Sequence, residues 1–242
     1  MAAELPPAQT PTRALDFGRC FTFVTEDPDW VKKILIGGAF TLASIFLIGL
    51  FFVAGYCAQV MKRVAAGEPR PLPEWDDLGG LFGEGVRLAG LYLAYGLGFF
   101  LVGAIAACPV GLALWGASGA GAGQRGLEGA AAILATFGVL SIYAIVILVS
   151  LVLNAVLPAA ATRVIFKNEL GAGFELARVV AFVRANLGNY LLSLLAFLVA
   201  NFAAQFGVIL CCVGICPAIF WAYLTLAHGL GQTVRANPAS VG

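Results

Sequence analysis

From Ile34 to Met61 the chain runs 28 residues without a charged side chain, with Lys32–Lys33 before the run and Lys62–Arg63 after it. About 20 such residues read as a membrane span, because hydrocarbon gives backbone N–H and C=O groups no partner except each other. Three more apolar runs follow: Leu88–Trp115, broken by Pro109; Ala130 to about Thr162, with Pro158 near its end; and Tyr190–Ala227. The last is 38 residues, too long for one ordinary span. Its middle, "CCVGICP", holds a glycine and a proline that can turn the chain, so two helices are expected to meet near Gly214. The fold class is therefore all-α: a polytopic integral membrane helix bundle of four to five spanning helices, plus amphipathic surface helices. Composition agrees. Only 11% of residues are charged, and a soluble domain usually carries about a quarter. The N-terminus has no basic stretch followed by an apolar one, so no cleavable signal peptide is expected.

Whether 34–61 is one tilted span or a re-entrant hairpin stays open. A hairpin would leave each arm about 14 residues, too few for a core of roughly 30 Å. No proline marks a turn inside the run, and Gly37–Gly38 lie too early to halve it.

Outside the spans, helical periodicity recurs. In "DFGRCFTFVTED", Phe17, Cys20, Phe21 and Val24 share a face; in "FELARVVAFVRAN", Leu176, Val179, Val180, Val183 and Leu187 do. In "LPEWDDLGGLF", Leu78, Leu81 and Phe82 align, Asp76 is the expected N-cap, and Asp77 suits the positive end of the helix dipole. The side chains expected to anchor these segments at the headgroup level are Phe17, Phe21, Trp30, Trp75, Leu78, Phe82, Val179 and Val183. A shift of 159 residues lays Asp16 on Glu175, Arg19 on Arg178, Phe23 on Phe182, Val24 on Val183 and Asp27 on Asn186. An internal repeat, 16–63 and 175–235, is thus expected within one membrane domain, 15–235, between a polar, disordered tail at 1–14 and a short tail at 236–242.

Little in the chain points to catalysis. The lone histidine, His228, has no partner for a triad or a metal set, and Cys211, Cys212 and Cys216 lack zinc-like spacing. The Gly121, Gly123 and Gly126 pattern lies between membrane helices, where a flexible connector is expected rather than a dinucleotide fingerprint. Glu74, Asp76 and Asp77 need only a helix start, not a metal. Asn154, Asn201 and Gln205 are polar residues set within spans. Interhelical hydrogen bonds are expected of them, and a polar path is the other reading. Ala94/Gly98 and Ala155/Ala159 have the small-xxx-small spacing of close helix contacts. No cofactor or metal is expected. The net charge of +1 gives no basic stripe for nucleic acid.

Loop charge sets an expected topology. The basic segments 62–87 and 163–184 belong on the cytoplasmic side, and the glycine-rich loop 116–128 outside.

The stretches "LDFGRCFTFVTEDPDWVKKILIGGAF", "GYCAQVMKRVAAGE", "LPEWDD" and "AHGLGQTVR" resemble a family of prokaryotic membrane proteins, domain-of-unknown-function 4013, from about Leu15 to Arg235. The chain departs from that pattern in lacking a proline within the first run. The resemblance implies a polytopic helical fold in the cell (inner) membrane of a prokaryote, and carries over no catalytic residue. The expected role is a non-enzymatic accessory or assembly subunit, with the lipid bilayer and a membrane-protein partner or second copy as its contacts. A permease-like or lipid-handling protein is the alternative.

Overall fold

A computed structural model describes residues 14–119, 125–209 and 214–242. All regular structure among them is helical: α1 (Arg19–Thr22), α2 (Trp30–Ala43), α3 (Ile48–Ala66), α4 (Leu78–Gly119), α5 (Arg125–Lys167), α6 (Leu176–Ala185), α7 (Leu187–Gln205) and α8 (Ile215–Ala236), with short 3-10 turns between. Among the described residues, four helical stretches are long and apolar enough to cross a membrane: Ile48–Ala66, Leu78–Ile105, Thr136–Lys167 and Leu187–Gln205. The protein is an all-α membrane helix bundle. Helix reaches into both ends of the expected 116–128 loop, since α4 continues to Gly119 and α5 begins at Arg125.

Two compact units are present, Met1–Ala89 with Ala159–Gly242, and Gly90–Pro158. At the centre of the first lies α8, packed against α2, α3 and α7. Expected as a span, α8 is not among the four apolar stretches. Its inner face (Phe220, Leu224, Thr225, His228, Leu230, Thr233) is buried in protein, so it tolerates polar residues that lipid would penalise. The chain does turn before α8, with Gly214 at its N-cap, as the sequence suggests.

The run 34–61 is a helical hairpin. α2 ends at Ala43, a 3-10 turn covers Ser44–Phe46, and Leu47 adopts φ 66° before α3 begins. The arms face each other, with the rings of Phe40 and Phe52 4.7 Å apart. Backbones also come close where α3 meets the start of α4. A Cβ on Gly55 would collide with the Leu81 carbonyl, and one on Gly85 with that of Phe51. A Cβ on Gly98 would meet nothing within 4 Å, so the small-residue spacing there makes no close contact within the chain.

The cap of α4 sits one residue later than expected. Asp77, not Asp76, accepts from the Gly80 N–H (2.9 Å), while Asp76 accepts from the Asp77 N–H (3.0 Å). The first surface helix is also shorter than its periodicity implies. It tightens into a 3-10 turn at Phe23–Glu26, where Phe23 and Val24 are buried along with Cys20 of α1.

The second unit comprises the parts of α4 and α5 within 90–158, and many of its described large side chains, among them Phe100, Phe137, Tyr143 and Leu148, are exposed. Two of its serine hydroxyls bond back to their own helix: Ser141 Oγ donates to the Phe137 carbonyl (2.8 Å) and Ser150 Oγ to that of Val146 (2.7 Å). Self-satisfaction of this kind is what a lipid-facing helix needs.

Candidate functional site

Three polar clusters among the described residues of the first unit bring buried or cavity-lining groups together. At the first, Lys33 on α2 is buried together with Asp27. Its ammonium donates to Asp27 Oδ2 (2.8 Å) and to the Leu72 carbonyl (3.3 Å), and pairs with Glu74 Oε1 at 2.6 Å. Burial pushes that ammonium's pKa down, but hydrogen bonds to Asp27 and Glu74 outweigh it and leave the pKa above the usual lysine value. Residues 71–75 form a strap across the mouth of the α2–α3 hairpin. Tyr56 Oη donates to the Pro73 carbonyl (3.0 Å), and Trp75 Nε1 donates to that of Lys33 (3.2 Å). The indole stacks on Tyr56 (4.3 Å) and Phe40 (5.0 Å).

The second node is Arg163, only 1% exposed near the end of α5. Its guanidinium donates to the carbonyls of Ala172 (3.2 Å) and Val241 (3.2 Å) and to Glu175 Oε2 (2.7 Å). Residues 238–241, expected as a tail, are thereby held as a 3-10 turn with Val241 buried.

The third node lines a cavity of about 250 Å³ bordered by Asp16, Arg19, Glu68, His228, Gln232 and Arg235. His228 stacks on Phe23 (4.2 Å), and its Nδ1 lies 3.0 Å from Gln232 Nε2. The ring lies past the apolar run that ends at Ala227. Burial, then the nearby Arg19 charge, lowers its pKa to about 4, against a smaller opposing pull from Asp16. His228 is thus neutral near pH 7. Gln232 is engaged in structure: its Oε1 accepts from the Asp16 N–H (2.8 Å), and its Nε2 donates to the Asp16 carbonyl (3.2 Å). Cys20, beside it, has its thiol pushed up to about 12 by burial, too high for a ready nucleophile. Among the described residues no group of three His, Cys, Asp or Glu side chains is placed to hold a metal. Mixed charges and a neutral imidazole suit this cavity to polar contact.

The expected anchors divide. Trp30, Leu78 and Phe82 are exposed; Phe17, Phe21 and Val183 are half-buried; Val179 is fully buried. Val179 therefore belongs to the core rather than the headgroup layer, and α6 turns Leu176 and Val180 outward instead. Trp75 is a packing residue, because its ring and its N–H are both used inside the protein. The polar span residues also differ from expectation. Asn154 Nδ2 donates to the Ser150 carbonyl (2.8 Å), and Gln205 Nε2 to the carbonyl of Asn201 (3.4 Å), so these bonds run along single helices rather than between them. Cys211, Cys212 and the centre of the glycine-rich loop lie outside the described residues.

The residues that sequence reasoning misses are Lys33 and Arg163. Their charge at the edge of an apolar run is visible, but spacing does not signal their partners at 27, 74, 175 and 241.

A family model described as a protein of unknown function (DUF4013) matches residues 39–213. That range includes "LPEWDD" and excludes "EDPDW" and "AHGLGQTVR". No curated protein and no solved structure matches the chain.

Proposed function

This chain belongs to the DUF4013 family, and we propose that it is a non-enzymatic accessory or assembly subunit of a larger membrane complex. The observation that carries the reading is the surface of α4 and α5. Only 11% of the apolar window in Leu78–Ile105 is buried inside the protein, and none of that in Thr136–Lys167. Phe100, Ile105, Phe137, Tyr143, Leu148 and Leu151 are all exposed. Helices that hold no Asp, Glu, Lys, Arg or His between Leu88 and Trp115, or between Ala130 and Thr162, offer contact area rather than chemistry. The alternative is a permease-like or lipid-handling protein; Asn201 and Gln205, the polar pair such a path would use, bond to one another along α7. On the positive-inside rule, the basic segments face the cytoplasm of a prokaryotic cell and the glycine-rich loop faces out.

The test is photocrosslinking in native membranes, with a benzophenone amino acid at Phe100 or Leu148. A discrete protein adduct at one position or both supports the subunit reading. Adducts to lipid alone at both positions refute it.

A further inference from the structure

We propose that the α2–α3 hairpin is re-entrant: it enters and leaves the membrane on one face, and its tip, Ile45–Ile48, ends within the hydrocarbon core against acyl chains. Length is the first ground. Between Lys33 and the end of the turn lie Ile34–Leu47, and from there to Lys62 lie Ile48–Met61, 14 residues in each arm. At the helical rise each arm reaches about 21 Å, short of a core of about 30 Å. α3 is long enough to span only if its last turn, with Lys62 and Arg63, is counted.

Charge is the second ground. Both arms begin at cations, Lys32–Lys33 on one side and Lys62–Arg63 on the other, which a single crossing would place on opposite faces. The strap at 71–75 bonds to Lys33, at the start of one arm, and to Tyr56, midway along the other, and so ties the two arms together.

The tip supplies the third ground. Ile45, Phe46, Leu47 and Ile48 are 75%, 77%, 69% and 61% exposed, an apolar cluster that water would not favour. The turn closes on itself, with the Leu47 N–H donating to the Ser44 carbonyl (2.9 Å) and Ser44 Oγ to that of Phe40 (2.9 Å). Thr41 Oγ likewise donates to the Gly37 carbonyl (2.8 Å). Leu47 sharpens the argument. At φ 66° glycine or asparagine is the ordinary choice, and a leucine there accepts strain while placing an apolar side chain at the apex. Acyl chains are the surroundings that favour such an apex.

Single cysteines replacing Asp29, Phe46 and Glu68 test this with a membrane-impermeant maleimide. The reagent is applied to right-side-out and inverted vesicles holding the full chain without its six native cysteines. The expected result is labelling of Asp29→Cys and Glu68→Cys from the same face, with Phe46→Cys unlabelled from either face until detergent is added. Labelling of positions 29 and 68 from opposite faces overturns the hairpin topology. Labelling of position 46 from the far face overturns the embedded tip. If the cysteine-free chain fails to fold, the same three substitutions are read in the native-cysteine chain, with the labelling of the unsubstituted protein subtracted.

Discussion

Lys33→Met removes a buried cation while keeping an unbranched side chain in its place. In the intact protein the ammonium lies 2.8 Å from Asp27 Oδ2 and 2.6 Å from Glu74 Oε1. Glu74 is more than half exposed and rehydrates when the cation goes, whereas Asp27 is buried and keeps the Asp29 N–H at 2.9 Å. Stranding one member of a buried pair costs about 3–5 kcal/mol, most of it the penalty for an uncompensated charge. Neutralising both members is often close to neutral, so Asp27→Asn/Lys33→Met should recover most of the loss. The assay is equilibrium unfolding of purified protein in mixed micelles by SDS titration, followed by far-UV circular dichroism. A Lys33→Met loss below about 1 kcal/mol, or a double variant no more stable than the single, refutes the reasoning.

Acid sensitivity is expected at His228. Its lowered pKa means that the unfolded chain binds the proton first, so its contribution is full above about pH 6.5 and is lost as pH falls toward 4. That amounts to about 3 kcal/mol, read as the difference between wild type and His228→Gln in pH-dependent unfolding. Trp75→Ala should cost about 3–5 kcal/mol in the SDS titration, while Trp75→Phe, which keeps a stacking ring and loses the bond to the Lys33 carbonyl, should cost much less. Gly85→Leu should force α3 and α4 apart and abolish the monodisperse peak in size-exclusion chromatography, because the Phe51 carbonyl occupies the space its Cβ needs. Asn201→Leu/Gln205→Leu should leave unfolding within about 1 kcal/mol of wild type, since the pair bonds within one helix.

The apolar runs are legible in the sequence because burial in lipid imposes a composition that shows without knowledge of neighbours. Gly214 is legible as a turn for a similarly local reason. The break at Ser44–Leu47 is not, since it uses a leucine at positive φ where sequence reasoning looks for glycine, asparagine or proline. Trp75 carries an ambiguous signal, for a tryptophan beside acids suits a headgroup anchor as well as a strap, and only Phe40 and Tyr56 decide between them. The nodes at Lys33 and Arg163 are least visible. Their partners are assembled by tertiary packing, from Glu74 in one case and the carbonyl of Val241 in the other.

The measurement that bears most directly on the proposed role is purification of the tagged protein from its own host in mild detergent, with native mass spectrometry of everything retained. A stoichiometric membrane-protein partner is the expected result. A monomer or homo-oligomer carrying only lipid would contradict the subunit reading.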